Sequence, residues 1–138
     1  MTKIHVSELI PQRPPFVMID EILVADDKIS RAQFEIKEGH LFVNEGYFTE
    51  PGLVENMAQT AGAGTGYKLR MEGKPTPMGY IGALKNLNII SLPKVGDTII
   101  TEISFLHNVM NVHLVQGRVL NNGTEIANCE FRIFLQQS

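Results

Sequence analysis

The sequence predicts an α+β fold in which one antiparallel sheet of about six strands wraps around one long central helix. Three observations carry the prediction. A long helix-competent stretch opens at Pro51 and closes before Gly73. Two β-patterned segments precede it, and four come after it. The 138 residues contain no repeat, low-complexity tract or Gly/Ser linker, so one domain over residues 1–138 is expected.

In chain order, Ser7 to Ile10 reads as a single helical turn, capped by Ser7 and stopped by Pro11. Phe16 to Val24 is a nearly continuous apolar run and predicts a buried strand. Asp26 and Asp27 turn the chain. Ile29 to Ile36 sets Ala32, Phe34 and Ile36 on one face against Arg31, Gln33 and Glu35 on the other, the alternation of a half-buried strand. Lys37 to Glu50 has no clean period and holds Gly39 and Gly46, which predicts a long loop of the kind that often carries function. Past the helix, strands are predicted over Met78 to Ile90, Thr98 to Leu106, Val112 to Leu120 and Thr124 to Leu135. Pro93 to Asp97 forms a turn, and Asn121-Asn122-Gly123 joins the last two strands as a hairpin. Cys129 falls on the apolar face of the last strand and reads as a small core residue.

The helix has Thr49 or Glu50 as N-cap, Pro51 in its first turn, and an end near Met71 set by Gly73 and Pro75. Its middle is unusual. Gly62, Gly64 and Gly66 each cost about 0.8–1 kcal/mol relative to alanine inside a helix. Either another backbone approaches the helix closely there, or the helix ends early near Gly62 or Gly64.

Composition excludes several classes. At 43% hydrophobic and 20% charged residues, with a mean hydropathy near zero, the chain reads as soluble and globular. It holds no run of about 18 apolar residues, so no membrane span is expected. A net charge of -3 with scattered Lys and Arg offers no basic stripe for nucleic acid. One cysteine cannot form an internal disulfide, and the first ten residues lack an apolar signal-peptide core; both fit a cytoplasmic protein. No metal is expected, since the four histidines and the one cysteine show no ligand spacing.

Three segments then resemble the hotdog-fold 3-hydroxyacyl-acyl-carrier-protein dehydratases. Leu9 to Phe16 (LIPQRPPF), followed by Ile19-Asp20-Glu21, is similar to the family's Leu-Pro-His-Arg-x-Pro-Phe opening, with Gln12 at the His position. Gly46-Tyr47-Phe48, then Pro51-Gly52-Leu53 and Glu55-Asn56-Met57-Ala58-Gln59, resembles the Gly-His-Phe, Pro-Gly-Val and Glu-x-Met-Ala-Gln core. Gly79-Tyr80-Ile81-Gly82 and the Pro93–Asp97 turn resemble the family's strand and turn after the helix. The resemblance implies a dimer or higher oligomer with its active site between subunits. It implies a 3-hydroxyacyl thioester on phosphopantetheine of acyl carrier protein or coenzyme A, and no cofactor beyond that carrier. In the family a His removes the C2 proton, the helix Glu handles the departing 3-hydroxyl, and N–H groups at the helix N-terminus stabilise the thioester oxyanion. Here Tyr47 stands where that His would be.

Glu55 is therefore the expected general acid, with Gln59 one turn on and on the same face. The plain alternative is a carboxylate favoured early in a helix by the macrodipole, an effect of about 0.3–1 kcal/mol. A phenol is a poor base at neutral pH, so Tyr47 is expected to donate a hydrogen bond or to line the pocket with Phe48. His40, in the same loop, is the expected substitute base. Gly52 and Gly82 fit a backbone that runs close to a thioester. Elimination of water is the leading reading. Thioester hydrolysis and a non-catalytic acyl-carrier-binding subunit of a hetero-oligomer, with the base lent by its partner, are the alternatives.

Overall fold

The computed structural model describes residues 5–74 and 79–135: a six-stranded antiparallel sheet packed on one helix, α1 (Glu50–Met71). A 3-10 turn at Val6–Glu8 and an irregular segment lead into β1 (Glu21–Ala25) and β2 (Ile29–Glu35). A short ribbon of β3 (Val43–Asn44) and β4 (Tyr47–Phe48) precedes the helix. β5 (Gly79–Ile89), β6 (Thr98–Val109), β7 (Val112–Asn121) and β8 (Thr124–Leu135) come after it. The sheet order is β1-β2-β6-β7-β8-β5, with each neighbouring pair antiparallel. One sheet around one long helix is the expected architecture.

Local chemistry explains the strand connections. Asn122 and Gly123 have φ of 52° and 79°, the left-handed pair that a tight hairpin turn requires. That turn fixes the β7–β8 register, which places Gly117 opposite Cys129 and Val119 opposite Ala127 on the inner face. Leu53, Met57 and Ala61 of the helix bury themselves against Phe34, Ile99, Ile103, Val115 and Phe131. Cys129 lies in this core with its Sγ 4.0 Å from Met57 Sδ, and burial pushes its thiol pKa up to about 11. It is an inert core residue at neutral pH.

The glycine-rich middle of the helix does not break it. A Cβ on Gly64 would collide with Ser30 Oγ on β2, and one on Gly66 would stand 2.5 Å from the Leu9 carbonyl oxygen. Sheet and N-terminal segment thus press on the helix where its side chains vanish, and the early-stop alternative falls.

Four boundaries differ from expectation. Phe16 to Asp20 is not strand, because helix side chains take up its main-chain groups; pairing with β2 starts only at Glu21, opposite Gln33. The first turn is capped by His5, whose Nδ1 accepts from the Ser7 N–H at 3.1 Å, and not by Ser7. The 37–50 loop contains the β3–β4 ribbon, and β6 runs three residues beyond Leu106. Pro75 and Met78 lie outside the described residues.

Candidate functional site

Glu55 sits in the second turn of α1, half-buried, and its Oε1 accepts a hydrogen bond from Gln59 Nε2 at 3.1 Å. Gln59 is only 2% exposed and has no freedom left. Its Nε2 also donates to the Phe16 carbonyl at 2.7 Å, and its Oε1 accepts from the Met18 N–H at 2.7 Å. Asn56, 1% exposed, donates from Nδ2 to the Met18 carbonyl at 2.6 Å and accepts from Thr101 Oγ1 on β6. Two helix amides therefore bind three main-chain groups of residues 16–18. Buried amides of this kind are tolerated because every bond is made. The result is a rigid wall beside the Glu55 carboxylate.

The helix start is open. Thr49 makes no side-chain cap; its hydroxyl donates instead to the Phe42 carbonyl at 2.8 Å. First-turn N–H groups thus lack the usual capping oxygen, which leaves the positive end of the helix dipole for another acceptor. Beneath it lies Phe48, fully buried, and a Cβ on Gly52 would come within 2.6 Å of its ring. Gly52 is the residue that lets Phe48 seat under the helix.

His40 joins this aromatic cluster. Its ring centroid is 5.5 Å from both Phe34 and Phe48, edge-on to each. Nδ1 accepts the Phe42 N–H at 3.1 Å, and Nε2 is buried with no partner among the described residues. A neutral imidazole that accepts at Nδ1 carries its proton on Nε2. In this arrangement the ring nitrogen without a partner is a donor, and it is buried. The hydrogen bonds described for Glu55 and His40 do not join them.

The other expected residues lie apart. β4 alternation turns Phe48 inward and leaves Tyr47 outward, 44% exposed, in an isolated bridge with Lys94. Gly82 sits at a β5 irregularity between Ile81 and Ala83, where a Cβ would run into the Phe134 ring. An aromatic ring laid over an edge glycine accounts for that residue structurally. Among the described residues no three His, Cys, Asp or Glu side chains converge as a metal site, and no helix is long and apolar enough to cross a membrane.

A cleft of about 500 Å³ opens elsewhere, between the C-terminal half of α1 and the far end of the β6–β7 hairpin. His107 and His113 line it, and burial depresses the His113 pKa. Its cations Lys68 and Lys74 are paired with Asp27 and Glu72. Neither Glu55 nor Gln59 lines it.

The outward face of α1 completes the picture. Val54, Glu55, Ala58, Gly62 and Thr65 follow helical spacing, and none is fully buried. A stripe of small and apolar side chains around one carboxylate is poor solvent-facing design and good packing surface.

Sequence reasoning missed Asn56 and Thr101. Asn56 stands between Glu55 and Gln59 in the helix motif, but its partners lie 38 and 45 residues away in sequence, beyond any local period.

Comparison with known proteins gives a consistent result. Residues 4–138 match the family model described as "ApeP-like: ApeP dehydratase". The 3-hydroxyacyl-[acyl-carrier-protein] dehydratase FabZ of Xylella fastidiosa (strain M23) is 27% identical over 134 residues, covering 90% of this chain and 82% of that protein. Among solved structures, the dehydratase heterocomplex ApeI:P from Xenorhabdus doucetiae contains a chain that superposes with a TM-score of 0.91. That chain is 16% identical, and the match covers 99% of this chain and 94% of the other. A hypothetical thioesterase with coenzyme A from Streptococcus pneumoniae TIGR4 superposes at 0.69, with 14% identity and 86% of each chain covered. The two structural likenesses are of fold: both are hotdog proteins.

Proposed function

From a chain that belongs to the ApeP-like dehydratase family, and from the site just described, we propose a protein that binds 3-hydroxyacyl thioesters and takes part in their dehydration. The observation that carries this reading is the Glu55 carboxylate, held by Gln59 on a half-buried helix face beside a helix N-terminus without a side-chain cap. The thioester oxygen would face the first-turn N–H groups, which stabilise negative charge there as the C2 proton leaves. Glu55 would give a proton to the 3-hydroxyl, so that water departs and the C2–C3 double bond forms. The carrier is phosphopantetheine, on acyl carrier protein as for FabZ or on coenzyme A, and the reaction needs no further cofactor.

The base is the weak point of the chain taken alone. Tyr47 faces away, and His40 offers an N–H. We infer that a second hotdog chain packs on the Val54–Thr65 stripe and supplies the base. In a homodimer, His40 would have to change tautomer to serve, or Tyr47 of the other copy would have to reach the site. A heteromeric pair with a His-bearing subunit needs neither, and the likeness to a dehydratase heterocomplex supports that form. The alternative, a non-catalytic acyl-binding subunit, differs only in whether Glu55 turns over.

The test is a mass-spectrometric assay of the chain alone, and mixed with a hotdog subunit carrying Gly-His-Phe, on a panel of 3-hydroxyacyl thioesters. Loss of water that needs Glu55 supports the proposal. Release of free thiol would replace it with thioester hydrolysis. Neither product from any mixture would leave only the binding role. Light scattering on the same samples reports the assembly, and a stable 15.4 kDa monomer under assay conditions would rule out a shared site.

A further inference from the structure

Phe16 presents a contradiction that the fold alone does not resolve. Its ring is 54% exposed, although Val17 beside it is half-buried and Met18 and Ile19 are fully buried. A large ring left in water is commonly a sign of a loose backbone. Here the backbone is the opposite of loose. The Phe16 carbonyl accepts from Gln59 Nε2 at 2.7 Å, and the Met18 peptide is held on both sides, by Gln59 at its N–H and by Asn56 at its carbonyl. Thr101 in turn fixes Asn56 from the sheet. The main chain that carries the ring is thus pinned at the Phe16 carbonyl and again at Met18 by two buried amides.

The location is specific. The same Gln59 nitrogen that holds the Phe16 carbonyl also holds the Glu55 carboxylate, at 3.1 Å. One amide nitrogen thus bridges the main chain of an exposed aromatic residue to the candidate catalytic carboxylate. Fixed apolar surface next to a reacting group is what a substrate's inert portion binds, and such contacts set preference among substrates. Asn56 and Thr101 acquire a purpose in the same step. An apolar residue at position 56 would leave the Met18 carbonyl and the Thr101 hydroxyl buried without this partner, so Asn56 holds in place the backbone that carries Phe16.

We propose that Phe16 is a specificity-determining residue: its ring forms the wall against which the acyl chain of a thioester bound at Glu55 packs, with Asn56, Gln59 and Thr101 as the residues that position it. This rests on the reading of the site as one for acyl thioesters and names the part of the substrate that Phe16 contacts.

The chain has no tryptophan, so Phe16→Trp places a sole indole reporter at this position. The variant is titrated with octanoyl-pantetheine, with acetyl-pantetheine and with pantetheine. Equilibrium dialysis measures retention of the same ligands by the unsubstituted chain and by Phe16→Ser. The expected result is a saturable blue shift with octanoyl-pantetheine that the other two do not give. Phe16→Ser should lose about tenfold or more in octanoyl affinity while its acetyl affinity holds, the size expected for lost apolar contact. Octanoyl retention in dialysis with an unmoved indole spectrum and an unchanged Phe16→Ser affinity would overturn the proposal and leave the site reading standing. No retention of any thioester would overturn both. A spectral change on dilution, and none on adding octanoyl-pantetheine, would assign Phe16 to a contact between chains and overturn the acyl role. Circular dichroism confirms that the variants fold. If Phe16→Ser fails to fold, Phe16→Leu is put through the same dialysis, where a shorter apolar wall should shift the octanoyl-to-acetyl ratio in the same direction.

Discussion

A carboxylate that accepts from Gln59 at one oxygen keeps its other oxygen for a substrate, and that division of labour makes Glu55 the residue to test. Glu55→Gln preserves size and the Gln59 neighbourhood but removes the transferable proton. In whichever assembly shows dehydration, its turnover should fall by about 10²–10⁴-fold with the thermal melt unchanged; activity within about threefold of the parent would remove Glu55 from the chemistry. His40 is tested by its nitrogens. Because Nδ1 accepts the Phe42 N–H, nitrogen–proton correlation spectra should show the lone pair on Nδ1 and the proton on Nε2. The reverse tautomer would free Nε2 as an acceptor and restore His40 as the base. At this scale the sequence showed what lies four residues apart and little else. The Glu55–Gln59 pair follows from helical spacing, and the contrast between Tyr47 and Phe48 follows from strand alternation. The Asn56–Thr101 contact joins a helix to a strand that the chain reaches only much later, so no window contains it.

The elements show the same division between local and distant causes. The helix start and its end near Met71 were legible because a proline in the first turn and a closing glycine are local chemistry, while its glycine-rich middle left an early stop open. The strand expected over Phe16 to Val24 began late, because an apolar run does not name its partners, and main-chain groups of Phe16 and Met18 are taken up by helix amides. Two of the three central glycines separate these causes experimentally. Gly62 has nothing within 4 Å of a built Cβ, so Gly62→Ala should stabilise the isolated chain by about 0.8–1 kcal/mol, the helix-propensity difference alone. At Gly66 the methyl would press on the Leu9 backbone carbonyl, which cannot rotate away, so Gly66→Ala should cost about 1–3 kcal/mol. Urea denaturation orders the two. If both glycines gained stability on substitution, the N-terminal segment would not rest on the helix as described.

On the scale of the molecule, one outward row of the sheet links five strands through polar side chains. Glu102 on β6 accepts from Arg31 on β2 and from Arg118 on β7. Arg118 also reaches Glu125 at 3.8 Å; Glu125 accepts from Asn128, and Asn128 from Asn88 on β5. The strand registers align these residues, with Arg31 opposite Glu102, Glu102 opposite Arg118, and Arg118 opposite Asn128. Alternation in the sequence identified the outward face, but which charges would meet depended on a strand order that no local pattern encodes. The row makes acid stability a property of the whole sheet. Chiefly through the Arg31 hydrogen bonds, and against the opposing effect of burial, the Glu102 carboxyl is held below its ordinary range in the folded state. A group with a depressed folded pKa contributes stability that is fully present above its unfolded value, about 4.3, and is lost as pH falls through the folded value. The contribution is therefore intact at neutral pH and disappears below about pH 4. Glu102→Gln keeps one acceptor for the arginines and discards the charge. Since both arginines are more than a third exposed, the loss at pH 7 should be about 1–2 kcal/mol, below that of a fully desolvated pair. The slope carries the sharper test. Between pH 5 and about pH 3, where carboxylates titrate, the unsubstituted chain should lose melting temperature faster than Glu102→Gln, and the two curves should converge at the acid end. Parallel curves over that range would mean that the sheet owes its acid sensitivity to other carboxylates.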